Sequence, residues 1–127
     1  MDQSALVSIE IQRGVDVLAA LDRAKVTVNV ALVANLTEYG DWRMFLAARA
    51  LDELGFRKAY GLIFESLTAA GIGVERTPAI QILPMNDRFI RDIRRMYGKS
   101  KNVEGLILGM QSFGDRFIEE GYVYRVR

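Results

Sequence analysis

Hydrophobic spacing changes period along this chain, and that switch constrains the fold more than any single residue does. Residues 26 to 34 alternate strictly, with Val26, Val28, Val30, Leu32 and Ala34 on one side and Thr27, Asn29, Ala31 and Val33 on the other. This is the two-residue repeat of a strand with one strongly buried face. Further on, Phe56, Ala59, Tyr60, Ile63, Phe64, Leu67 and Ala70 are spaced three and four apart. That is the repeat of an amphipathic helix, and Gly71 supplies its stop. A chain carrying both periods must bury a sheet against helices.

The remaining segments extend the pattern. After a connection from Leu36 to Asp41, with turn chemistry at Gly40 and Asp41, a second alternating run covers Trp42 to Leu51. The two runs predict a hairpin with a longer loop. In the second run Trp42, Met44, Leu46, Ala48 and Ala50 oppose Arg43, Phe45, Ala47 and Arg49. Residues 4 to 23 place Val7, Ile11, Val15, Leu18 and Leu21 on one helical stripe, with Ser4 available as a cap and Gly14 as a weak point. A short strand at Val7, Ile9 and Ile11 is the competing reading. Pro78 to Leu83 is a short apolar strand candidate whose proline sits at its start, where the missing N–H is tolerated.

Pro84, Asn86 and Asp87 then open a third helix with the stripe Phe89, Ile93, Met96 and Tyr97, ending at Gly98. A polar loop, Lys99 to Asn102, leads to two more strands, Val103 to Met110 and Phe117 to Val126, joined around Ser112 to Asp115. The order α-β-β-α-β-α-β-β, with neighbouring hairpins, predicts one α+β domain over residues 1–127. The expected architecture is a two-layer sandwich: a mainly antiparallel five-stranded sheet with three helices. One sheet face would stay uncovered, carrying Arg43, Phe45 and Arg49 beside Thr27 and Asn29.

Composition narrows the chemistry. The 127 residues include no cysteine and no histidine, which removes disulfides, thiolate nucleophiles, imidazole proton shuttles and the usual zinc, copper and haem ligands. The domain must hold together by its core alone, and its length is sufficient for that. The amino terminus carries acid instead of a basic leader, and no apolar run approaches the ~18 residues of a membrane span. A cytoplasmic protein without membrane attachment is therefore expected. With 17 Lys and Arg against 16 Asp and Glu, the net charge is +1, too small to attract polyanions globally.

Charge does cluster locally. Between Asn86 and Asn102 stand Arg88, Arg91, Arg94, Arg95, Lys99 and Lys101 against Asp87 and Asp92, a local charge of +4 that leaves −3 for the rest. Arg91, Arg94 and Arg95 share a helical side and suit successive phosphates, with Tyr97 a candidate for base stacking. The alternative is the solvated back of an amphipathic helix, its arginines paired with Asp92 and neighbouring acids. Other motifs carry less. Asp52-Glu53 and Glu119-Glu120 are adjacent pairs that point opposite ways on a strand, so only Glu38 with Asp41 offers convergence for a divalent cation. Gly71-Ile-Gly73 is followed by Val-Glu-Arg-Thr-Pro, which defeats the dinucleotide fingerprint, and no phosphate-binding Gly-Lys-Ser/Thr loop exists. The serines lack a nucleophile elbow, and Ser100 between Lys99 and Lys101 is a loop residue before it is half of a dyad. Trp42, Tyr122 and Tyr124 either line a ligand pocket or a contact patch, or pack beneath helices.

Ala20 to Ala24 leading into a strand, Trp42-Arg43 opening the next, Leu54-Gly55 before Ala59-Tyr60, and Glu120 to Arg125 near the end together resemble a group of small bacterial proteins with no assigned function. The resemblance spans most of the chain. It implies a soluble single-domain bacterial protein and nothing about activity. The chain departs from that pattern at Ala48-Arg49-Ala50, where the group has a more proline-like ending to the strand.

No catalytic, metal or cofactor residues are assigned. The leading expectation is a non-enzymatic interaction module that forms a dimer or docks on a partner protein through Arg43, Phe45 and Arg49 on an open sheet face. Nucleic-acid or acidic-partner binding through Arg91, Arg94, Arg95, Lys99 and Lys101 is the alternative. A carboxylate enzyme using a divalent metal around Glu38 and Asp41 comes third.

Overall fold

The computed structural model describes residues 3–100 and 103–127, with side chains from residue 8 onward. Its elements are α1 (Gln3–Arg23), β1 (Val30–Leu36), β2 (Trp42–Ala47), α2 (Arg49–Asp52), α3 (Phe56–Ala69), a 3-10 turn (Val74–Arg76), β3 (Ile80–Ile82), α4 (Arg88–Tyr97), β4 (Leu106–Phe113) and β5 (Arg116–Val126). The long elements follow the expected order, and α1 is a helix, not a strand at residues 7–11. The α+β class and five strands are as the sequence predicts. In space the strands run β3-β2-β1-β5-β4. Three of the pairings are antiparallel, while β2 and β3 run parallel, because a helical crossover between them returns the chain to the same end.

The layering differs from the expectation. Ala31 and Val33 of β1 pack beneath α1 and α3, together with Val17, Leu21, Met44, Leu46, Ile63 and Leu67. Val30, Leu32, Ala34 and Leu36 of the same strand point the other way, into a second cluster with Phe45, Phe89, Ile90, Ile93, Phe113 and Ile118. Helix α4 therefore lies on the face opposite α1 and α3, and both faces of the central strands are covered. The cause is visible in β1, where every position except Asn35 is apolar; a strand of that kind is stable only at the middle of a sheet packed on both sides. Each large apolar side chain taken fully out of water there contributes about 1.5–3 kcal/mol.

Three local departures matter for the surface. In α1 the buried line runs through Gly14, Val17, Leu18 and Leu21, whereas Val15 is 41% exposed. Gly14 is the contact point: a methyl group there would overlap the Tyr124 ring, whose hydroxyl donates to the Ile11 carbonyl at 2.7 Å. Strand β2 stops at Ala47 and the chain turns into α2, so Arg49 leaves the sheet. In β4 the in-and-out alternation reverses at Met110, whose φ is +50°. Leu108 and Phe113, an odd number of residues apart, consequently reach the same core.

Candidate functional site

The three residues expected on an open face do not form one. Phe45 is fully buried, its ring 5.3 Å from that of Phe89 and 6.5 Å from that of Tyr39. Arg43 sits at the rim and is internally engaged: its guanidinium stacks 3.9 Å over Tyr39, pairs with Asp41 at 3.2 Å and donates to Gln81 at 2.9 Å. Arg49 is exposed on α2, where its backbone N–H donates to the buried Asn29 side chain. Within β2 Phe45 and Met44 do face opposite ways, but Phe45 pairs with Leu32, on the side α4 covers, and not on the Ala31 and Val33 side expected for it. Val26 and Val28 precede β1 and join Ala31 and Val33 in the cluster beneath α1 and α3, so the single alternation from 26 to 34 does not hold. The apolar character of Ala31 and Val33 on the supposed second face was the signal that both sides are core.

The basic segment resolves into a row. The buried side of α4 is Phe89, Ile90 and Ile93, which places Arg88, Arg91 and Arg95 together on the opposite, exposed side. Both acids of this segment reach the β4–β5 hairpin, and one of them also pairs within the helix. Asp87 caps the helix by accepting from the Phe89 N–H at 2.9 Å and pairs with Arg116 at 2.8 Å, tying α4 to the start of β5. Asp92 accepts from the Gly114 N–H in the β4–β5 turn while also meeting Arg95 at 2.8 Å. Gly114 is required at that turn, since its φ is +60° and a Cβ would press against the backbone of Arg88 and Phe89. Arg88 and Arg91 have no carboxylate within ion-pair distance among the described residues. Arg94, at the flank, donates to the Arg127 carbonyl at 3.1 Å. Lys99 is exposed beyond the helix, and Lys101 lies outside the described residues. Tyr97 is half-buried with its ring 6.1 Å from Phe113, so it is spent on packing.

A surface not anticipated lies at the far end of the sheet. Strand β4 is an edge strand of eight residues, Leu-Ile-Leu-Gly-Met-Gln-Ser-Phe, with no charge in it. Ile107 is 78% and Met110 73% exposed, and Phe117 on the neighbouring strand is also exposed. On the α1 side a hollow of about 160 Å³ lies between α1 and this hairpin, lined by Ile11, Trp42, Ile107 and Tyr122 among others. Trp42 and Tyr122 thus pack against the core and border this hollow, while Tyr124 is buried under α1. Burial, reinforced by the nearby Tyr122 and Glu10, pushes the Tyr124 hydroxyl pKa up, so it stays a neutral donor to α1. The opposite edge, β3, has only three residues and lies between Pro78 and Pro84.

The carboxylates show no comparable gathering. Asp41 is taken by Arg43, and Glu38 is exposed. Among the described residues no three potential ligands come together at a metal-binding distance. The groove where β2 and β3 end, about 380 Å³ and lined chiefly by Leu51, Phe56, Ile82, Pro84 and Met85, has Asp52 as its one charged lining residue. One oxygen of that carboxylate already accepts from the Met85 N–H. Among the described residues no helix is long and apolar enough to cross a membrane. No protein-family model, curated protein or solved structure matches the chain.

Proposed function

We propose that this protein is a non-enzymatic interaction module that pairs with a second copy of itself through the β4 edge, in the cytoplasm of a bacterium, the bacterial source being what the sequence resemblance implies. The observation that carries the reading is the undefended edge: eight residues without charge, with Ile107 and Met110 about three quarters exposed. Edge strands that remain single are ordinarily short, charged, proline-bearing or covered. The β3 edge follows that rule and the β4 edge does not. A second copy is the occupant that the strand itself favours. Two antiparallel β4 strands related by a two-fold axis bring no like charges together, satisfy each other's free N–H and C=O groups, and extend the apolar surface around Ile107 from both sides.

Sedimentation equilibrium of the wild type and of Ile107→Lys tests this. The wild type should sediment as a dimer and the variant as a folded monomer, because the exposed Ile107 side chain adds little to the core. A wild type that remains monomeric at the highest concentration reached would overturn the reading, as would a variant that dimerises equally well.

A further inference from the structure

The geometry points to a second, separate surface: the outward side of α4 binds the sugar-phosphate backbone of nucleic acid, with Arg88, Arg91 and Arg95 as the contacts. The helix rises 1.5 Å per residue, so these guanidinium groups are anchored about 4.5 and 6 Å apart along its axis. They form one line of closely spaced cations. Arginine in particular, with its planar fork of donors, matches pairs of phosphate oxygens. The helix contains four arginines and no lysine or glutamate, an unusual makeup for a side that needs only to be wetted.

Two features keep this row available. Asp87 and Asp92 both reach toward the β4–β5 hairpin, to Arg116 and to the Gly114 N–H, and so hold the helix with its arginine side out. Arg88 and Arg91 have no acidic partner among the described residues, and Arg95 shares Asp92 with that backbone N–H in an exposed pair a phosphate can displace. Recognition here is by charge and not by base. Tyr97 is packed against Phe113 and unavailable for stacking, so binding should be independent of sequence.

The test is fluorescence anisotropy of a labelled mixed-sequence oligonucleotide, single- and double-stranded, across a salt series, with polyglutamate as competitor. Three phosphate contacts on a duplex give a slope near −2.7 in log affinity against log salt, roughly a 40-fold loss between about 50 and 200 mM. The double variant Arg88→Gln/Arg91→Gln should flatten the slope by about two, leaving only about a 3.5-fold loss over the same range. Arg91→Gln alone should flatten it by about one, which keeps the test valid if the double variant is unstable. Arg57→Gln/Lys58→Gln removes the same charge from exposed positions on α3 and should bind as the wild type does. No binding at low salt, equal weakening by the α3 control, unchanged slopes in the α4 variants, or displacement by polyglutamate as efficient as by nucleic acid would each overturn the proposal, the last in favour of an acidic protein partner.

Discussion

Replacing Phe45 by alanine separates a core residue from a surface one. The side chain has no exposed area and its ring lies between those of Phe89 and Tyr39. Deleting a buried phenylalanine ring costs about 3–5 kcal/mol through lost transfer energy and the cavity left behind. Two aromatic neighbours favour the middle or upper part of that range, so about 4 kcal/mol is expected, against a total stability of about 5–15 kcal/mol for a domain of this kind. Unfolding entropy near 2.1 cal/mol/K per residue, taken over 127 residues, converts this into a fall in melting temperature of about 15 °C. Urea denaturation and calorimetry of wild type and variant provide the comparison. A loss below about 1 kcal/mol, accompanied by a change of oligomeric mass, would mean that Phe45 sits at an interface and that α4 does not cover this face.

Three further outcomes follow from specific contacts. Gly14→Ala should destabilise by about 1–3 kcal/mol through overpacking against Tyr124, although alanine is the better helix former; calorimetry of Gly14→Ala, Tyr124→Phe and the double variant should show non-additive losses, since removing the hydroxyl relieves part of the overlap. Asp87→Ala should cost about 2–3 kcal/mol in urea titrations, more than the ~1 kcal/mol of an ordinary cap, because it also strands the half-buried Arg116. The hydrogen bond and ion pair from Arg125 hold the Asp22 carboxyl below its ordinary pKa. Its contribution is therefore present at neutral pH and disappears as pH falls below the ordinary carboxylate range. Stability measured against pH should accordingly decline less steeply in acid for Asp22→Asn, and parallel curves for the two proteins would contradict this.

The fold was legible wherever local chemistry decides it. Helix α3 follows from its three-and-four spacing and stops where Gly71, at φ +76°, allows it to. Asp87 caps α4 as its position before the apolar stripe implies. What periodicity does not encode is which elements share a face. The stripe of α4 shows that one side is buried, not which side of the sheet buries it, and the alternation that put Phe45 opposite Met44 was correct while the openness assigned to its side was not. Chain turning was also hidden: Ala48, Arg49 and Ala50 continue an alternating pattern that α2 interrupts, because the buried Asn29 side chain accepts from the Arg49 N–H and draws the backbone out of the ladder. Of the two surfaces, the arginine row was readable in part from spacing within one helix: Arg91 and Arg95 share the exposed side, but Arg94 lies at the flank and Arg88 completes the row in its place. The β4 edge was not, since only the strand order shows that an uncharged strand stands last in the sheet.

Amide hydrogen exchange of β4, measured at several protein concentrations, bears most directly on self-association. Pairing of two copies predicts that amides within Leu106–Phe113 become more protected as concentration rises, that β3 does not change, and that Ile107→Lys abolishes the effect. Exchange in β4 that is the same at every concentration, and the same in the variant, would contradict it.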